Sequence, residues 1–173
     1  MLFKRRACTS EQKKSDGKEK GCKIMARKRL GGKEINKMQL KLPALSANEG
    51  MARAAVAAFC SQLDPLAVEL ADVKCAVSEA VTNCIVHAYK NEGGWIYINV
   101  YLLEGRVAKI EIKDKGCGIE NVDQAMAPFY TTDKQGERSG MGFAIMQGLS
   151  QKLRVKSEPQ KGTTLDIYIK LGK

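Results

Sequence analysis

The stretch Trp95-Ile96-Tyr97-Ile98-Asn99-Val100-Tyr101-Leu102-Leu103-Glu104-Gly105-Arg106-Val107-Ala108-Lys109-Ile110-Glu111-Ile112-Lys113 reads with a period of two. Ile96, Ile98, Val100 and Leu102 alternate with Trp95, Tyr97, Asn99 and Tyr101. After the Glu104-Gly105 turn, Ala108, Ile110 and Ile112 alternate with Lys109, Glu111 and Lys113. Successive strand side chains point to opposite faces, so each apolar set lines one side. The stretch predicts a β-hairpin with one face in a core and the other polar.

Working back from it, Asn91-Glu92-Gly93-Gly94 is a turn, and before that turn the period is helical. Met38 to Leu42 predicts a short strand stopped by Pro43. Ser46-Ala47-Asn48-Glu49 has the spacing of a capping box and predicts a helix from Ala47 to about Leu63. Asp64-Pro65 supplies an N-cap and a first-turn proline for a second helical segment reaching about Lys90. Forward of the hairpin come a glycine-rich middle region, a helix from about Gly142 to Ser150, a strand at Leu153–Ser157, and a turn at Glu158-Pro159-Gln160-Lys161-Gly162. A last strand turns Leu165, Ile167 and Ile169 to one face. Helices gathered in runs and strands joined by hairpins predict an α/β two-layer sandwich, a mixed, mostly antiparallel sheet with helices on one face.

The chain has 173 residues, one domain's worth, and a net charge of +10. That charge is unevenly placed. Residues 1–37 hold 13 Lys and Arg against 4 Asp and Glu, whereas residues 38–173 hold 16 against 15. A nucleic-acid footprint would spread over the folded face that meets phosphate, so direct DNA binding by the folded body is not expected. Residues 1–37 have few large apolar residues and no period, and read as a disordered basic leader before a single domain at 38–173. Such a leader is compatible with an arm for nucleic acid or anionic lipid, or with a start upstream of Met25 or Met38. No apolar run is long enough for a membrane span or a signal peptide, so a cytoplasmic protein is expected. The six cysteines form no C-x-x-C pair and have a single His beside them, which supports neither a zinc site nor a disulfide framework.

Three features carry chemistry. Asp114 shares the strand phase of Ala108, Ile110 and Ile112, so it points toward the buried face, where a carboxylate needs a partner. It precedes Gly116-Cys117-Gly118, and in its plainer role it would cap that turn. A second glycine cluster, Gly140-Met141-Gly142, opens a helix, and bare backbone amides at a helix start suit phosphate. On the long helix Glu79, Asn83 and His87 are four residues apart, sharing a face amid Val77, Ala80, Val81 and Ile85. An amide oxygen one turn from a carboxylate suits magnesium beside phosphate oxygens, with the carboxylate handling a proton. Between the glycine clusters, Ala127–Ser139 is long enough for a lid.

In this order the segments Glu79-Ala80-Val81-Thr82-Asn83, Asp114-Lys115-Gly116-Cys117-Gly118, Ser139-Gly140-Met141-Gly142 and Gly162-Thr163 resemble the boxes of the Bergerat-type ATPases, which include gyrase, histidine kinases and MutL. Leu45-Ser46-Ala47-Asn48-Glu49, Gln62-Leu63-Asp64-Pro65 and Glu137-Arg138-Ser139-Gly140-Met141-Gly142-Phe143 narrow the resemblance to the anti-sigma-F factors of endospore-forming bacteria, over about residues 38–170. The resemblance implies the Bergerat ATP-binding fold and a serine protein kinase that uses ATP and Mg²⁺. Such a kinase inhibits the sporulation sigma-F factor, phosphorylates an anti-anti-sigma protein and works as a homodimer. It further implies that Asp114 and Thr163 meet adenine, with Gly116 and Gly118 letting the backbone pass close to the base. Asn83 would hold Mg²⁺ and Glu79 would be the base. Gly140, Met141 and Gly142, in the box that Ser139 opens, would cradle phosphates, while Thr131, Thr132 and Arg138 would close over the γ-phosphate. Arg53 would fall on the face that meets the sigma factor, or be an ordinary exposed arginine. The same fold acting on another sigma factor, such as the general stress sigma, is the nearest alternative. A histidine-kinase catalytic domain is further off, because His87 is the only histidine and lies inside the site helix.

Overall fold

A computed structural model describes residues 32–127 and 140–172. The expected disorder of the leader falls on residues 1–31, outside these, except for its last few residues. So do the lid beyond Ala127 and the site candidates Thr131, Thr132, Arg138 and Ser139. Five strands form one sheet: β1 (Glu34–Pro43), β2 (Trp95–Leu103), β3 (Val107–Lys113), β4 (Lys152–Glu158) and β5 (Gly162–Lys170). Their spatial order is β1-β2-β3-β5-β4. Helices α1 (Ala47–Cys60), α2 (Ala67–Asn83) and α4 (Gly142–Leu149) join them, with the short α3 (Val122–Ala125) between β3 and α4. The two-layer α/β sandwich is the fold expected. Every neighbouring pair of described strands is antiparallel, so the parallel pairing of a mixed sheet does not occur among them.

The period-two reading of the hairpin holds residue by residue. Ile98, Val100 and Leu102 of β2 register against Ile112, Ile110 and Ala108 of β3, and those against Leu165, Ile167 and Ile169 of β5; all of these, and Ile96, are buried. Ala52 and Val56 of α1, Val73, Val77 and Ala80 of α2, and Met146 of α4 close the core from the helical side. A fully buried Val, Ile or Met contributes about 1.5–3 kcal/mol, and alanines with no exposed surface let the helix backbones approach the sheet. The outward face stays polar because its long cations lie along aromatic rings. Lys109 sits 5.1 Å from the centre of the Tyr101 ring and pairs with the buried Asp166 at 3.0 Å.

Four local expectations are corrected. Strand β1 begins at Glu34, not Met38, because Glu34, Asn36 and Lys37 find partners in Leu103, Leu102 and Tyr101. The last residues assigned to the leader therefore belong to the domain. Ser46 makes no side-chain cap, and the Glu49 carboxylate instead accepts from the Ser78 hydroxyl and pairs with Arg53 at 3.5 Å. The capping box fails because a tertiary partner on α2 takes the carboxylate. Asp64 does not cap α2 either. It ends a 3₁₀ turn at Ser61–Leu63 in the left-handed conformation, and α2 starts at Ala67, where Glu69 accepts from the Leu66 N–H at 2.7 Å. Finally, the helical segment does not run regularly to Lys90. Beyond Asn83 it widens into a π turn, Cys84–Ala88, with Tyr89 N–H donating to Cys84 O at 3.0 Å. Such turns recur at functional sites.

Candidate functional site

The widened helix end and the segment after β3 are stitched together. Cys117 N–H donates to Ala88 O at 3.0 Å, and the Cys117 thiol to His87 O at 3.2 Å, so the glycine segment occupies carbonyls left open at the end of the helix. The contact is tight enough to require glycine: a Cβ on Gly116 would stand 2.2 Å from Ala88 O, which is backbone and cannot swing aside. A Cβ on Gly118, at φ +71°, would stand 2.1 Å from Glu158 O. Both glycines here serve backbone packing, which is what sets the loop under the helix.

Asp114, only 3% exposed, sits just beyond the end of β3. Its Oδ1 accepts from Gly116 N–H at 2.9 Å and Thr163 N–H at 3.1 Å, while its Oδ2 faces the Cys84 thiol at 3.8 Å. Both expectations for this residue are therefore met: one oxygen caps the turn, and the side chain is buried. Burial raises its pKa above the ordinary 3.8, against the lowering pull of the Gly116 and Thr163 N–H groups. Burial and the neighbouring carboxylate together hold the Cys84 thiol well above the ordinary range. The Thr163 hydroxyl lies 2.9 Å from that of Ser157, which also accepts from Ile119 N–H at 2.8 Å.

Above this pair opens a cavity of about 700 Å³, within the usual range for small-molecule sites. Glu79, Asn83 and His87 line it from the helix, Asp114 and Thr163 from the sheet, and Gly140, Met141 and Gly142 from the start of α4. Glu79 and Asn83 converge on that start: a Cβ on Gly142 would stand 2.9 Å from Glu79 Oε2 and 3.5 Å from Asn83 Oδ1. The first N–H groups of α4 have no acceptor within the helix and leave positive potential beside the carboxylate and the amide. Segments about 60 residues apart in sequence thus meet in one chamber, lined by a carboxylate acceptor and by the start of a helix.

The family model for histidine kinase-, DNA gyrase B-, and HSP90-like ATPases matches residues 70–173, which include all these lining elements. The anti-sigma F factor of Caldanaerobacter subterraneus subsp. tengcongensis is 49% identical over 138 residues, covering 80% of this chain and 96% of the relative. That of Clostridium acetobutylicum is 51% identical over 130 residues, covering 75% and 90%. The chain belongs to the anti-sigma F factor family. The resemblance drawn from the boxes thus holds across nearly the whole length of these relatives. Among solved structures, the RsbU and RsbW domains of Rv1364c from Mycobacterium tuberculosis superpose with a TM-score of 0.59 at 18% identity, over 80% of this chain and 33% of that one, a likeness of fold.

Within this family member, one expected nucleotide-site residue among those described, Gly116, does not line the cavity and packs against Ala88 instead. Arg53, expected on a partner-facing surface, lies on α1, 49% exposed at its side chain and paired to Glu49. Several lining residues were not singled out for a site from the sequence: Lys90, Asn121, Gln124 and Phe143. Asn121 had a legible signal. Its side chain accepts from Gln124 N–H at 3.0 Å, the N-cap of α3, and Asn-x-x-Gln is a capping pattern. No helix among the described residues is long and apolar enough to cross a membrane.

Proposed function

We propose that this protein is an ATP-dependent serine kinase that captures a sigma factor of the sigma-F type and phosphorylates a serine of an anti-anti-sigma protein. The family supplies ATP binding, and its relatives are named anti-sigma F factors. The observation that carries the chemistry is the convergence of Glu79 and Asn83 on the first residue of α4, in the cavity that Asp114 also lines.

In this reading Asp114 Oδ2 accepts from the adenine amino group, with the Thr163 hydroxyl beside the same edge. Gly140, Met141 and Gly142 present backbone N–H groups to the phosphates, where the helix start favours negative charge. The donor set fits Mg²⁺: one amide oxygen, from Asn83, next to phosphate oxygens is how this hard cation is commonly held. Among the described residues no cluster of three or more His, Cys, Asp or Glu could hold an ion unaided. When bound, the ion would neutralise charge on the phosphates. Glu79, beside the α4 start, accepts the proton of the attacking serine hydroxyl. Arg53 contributes to capture of the sigma factor from the face of α1, and the working unit is a homodimer.

The test separates chemistry from binding, because phosphoryl transfer needs an oriented nucleophile while ground-state affinity rests on the adenine pocket, the amides and the metal. Glu79→Ala is expected to abolish transfer of labelled phosphate to the anti-anti-sigma protein while keeping ATP affinity and ATP-dependent sigma pull-down. Full transfer by that variant overturns the assignment.

A further inference from the structure

Cys84 is the residue whose role neither the boxes nor the family explains. Its side chain reads as a small core hydrophobe, yet its sulfur lies 3.8 Å from Asp114 Oδ2, within reach of a thiol hydrogen bond. Cys84 stands where α2 gives way to the π turn. On the carboxylate the donors are unevenly shared. Oδ1 holds two backbone N–H groups, from Gly116 and Thr163, whereas Oδ2 holds the Cys84 thiol alone. A carboxylate oxygen has two lone pairs, so Oδ1 is filled and Oδ2 has one acceptor site left. Both Cys84 and Asp114 line the cavity.

We infer that Cys84 is a positioning residue for nucleotide selection: its S–H holds Asp114 Oδ2 by one lone pair and aims the other at an exocyclic amino group. The inference rests on the reading of this cavity as an adenine site. Without the thiol, the carboxylate would keep its two bonds at Oδ1 but could rotate Oδ2 about them. A base with an amino group would then meet a less well aimed acceptor. A base lacking that group makes no bond to Oδ2 and would be indifferent to the loss.

The experiment compares ATP with purine riboside triphosphate, which carries hydrogen in place of the amino group, by calorimetry on the full chain. Cys84→Ala is expected to weaken ATP about fivefold, the part of the Oδ2–amino hydrogen bond lost when its acceptor is poorly aimed, and to leave purine riboside triphosphate unchanged. Cys84→Ser restores the donor and is expected to recover the wild-type preference. Should Cys84→Ala melt too low for titration, Cys84→Val, which fills the site with an apolar side chain and lacks the donor, is read the same way. Equal weakening of both nucleotides would make Cys84 a packing residue and overturn the inference, as would unchanged ATP affinity. Failure of the wild-type protein to prefer ATP over the analogue would instead remove the adenine reading itself, and the inference with it.

Discussion

Asp114→Asn exchanges one oxygen for an NH₂ group and tests the adenine end of the cavity without altering its size. The asparagine has two orientations. Turning its NH₂ toward Gly116 and Thr163 would set a donor against two N–H groups now held at 2.9 and 3.1 Å, at about 1–3 kcal/mol for each group left unsatisfied. The carbonyl therefore stays there, and the NH₂ takes the place of Oδ2, facing the Cys84 thiol and the base. An amino group on the ligand then meets a donor where it had a charged acceptor. Loss of such a bond is worth about 1.5–3 kcal/mol, or about 10- to 150-fold in Kd. Folding should respond differently. Burial is what raises the Asp114 pKa, so the charged form is a cost to the native state that asparagine does not carry. The net change in stability is expected to stay within about 1 kcal/mol, about 2–4 °C in Tm. The assay pairs ATP calorimetry with thermal melting of the same samples. An ATP affinity within about threefold of wild type would make Asp114 a turn residue and nothing more.

Nucleotide binding should also weaken in acid. Binding needs the carboxylate, and the native proton affinity of Asp114 is raised above the ordinary 3.8, so ATP affinity is expected to be flat near neutrality and to fall as pH drops through that raised value, with the limb absent in Asp114→Asn. For stability the sign is opposite: protonation relieves a buried charge, so the contribution of Asp114 is most favourable below 3.8 and is lost as pH rises through its native pKa. Arg106 donates to Leu63 O at 2.6 Å and Asp64 O at 2.8 Å, binding the β2–β3 turn to the α1–α2 connection. Arg106→Ala should lower stability by about 1–3 kcal/mol in thermal melts and leave ATP affinity unchanged, since Arg106 does not line the cavity. Truncation through residue 31 should spare both stability and ATP binding, whereas truncation through Lys37 removes the pairings of Glu34, Asn36 and Lys37 and the Asn36–Gln62 hydrogen bond. Denaturant melts of the shorter form should show a loss of about 1–2 kcal/mol; equal stability of the two would return those residues to the leader.

Periodicity alone determined most of the scaffold. Alternation over 95–113 set the hairpin, its buried face and the sheet that β5 extends, because strand side chains obey a fixed period and the apolar set has one place to go. The helical spacing of Glu79 and Asn83, the inward phase of Asp114 and the glycines of both clusters were equally legible, since each depends only on residues a few positions apart. The tertiary structure decided whatever depended on a distant partner. Glu49 abandons its cap because Ser78 reaches it from another helix. Glu34 joins the sheet because Leu103 lies opposite. Gly116 must be glycine because Ala88 O stands against it. The convergence of Glu79 and Asn83 on Gly142, and of Cys84 on Asp114, joins residues 30 to 63 positions apart. No local pattern encodes such a distance; it appears only when the helices pack on the sheet.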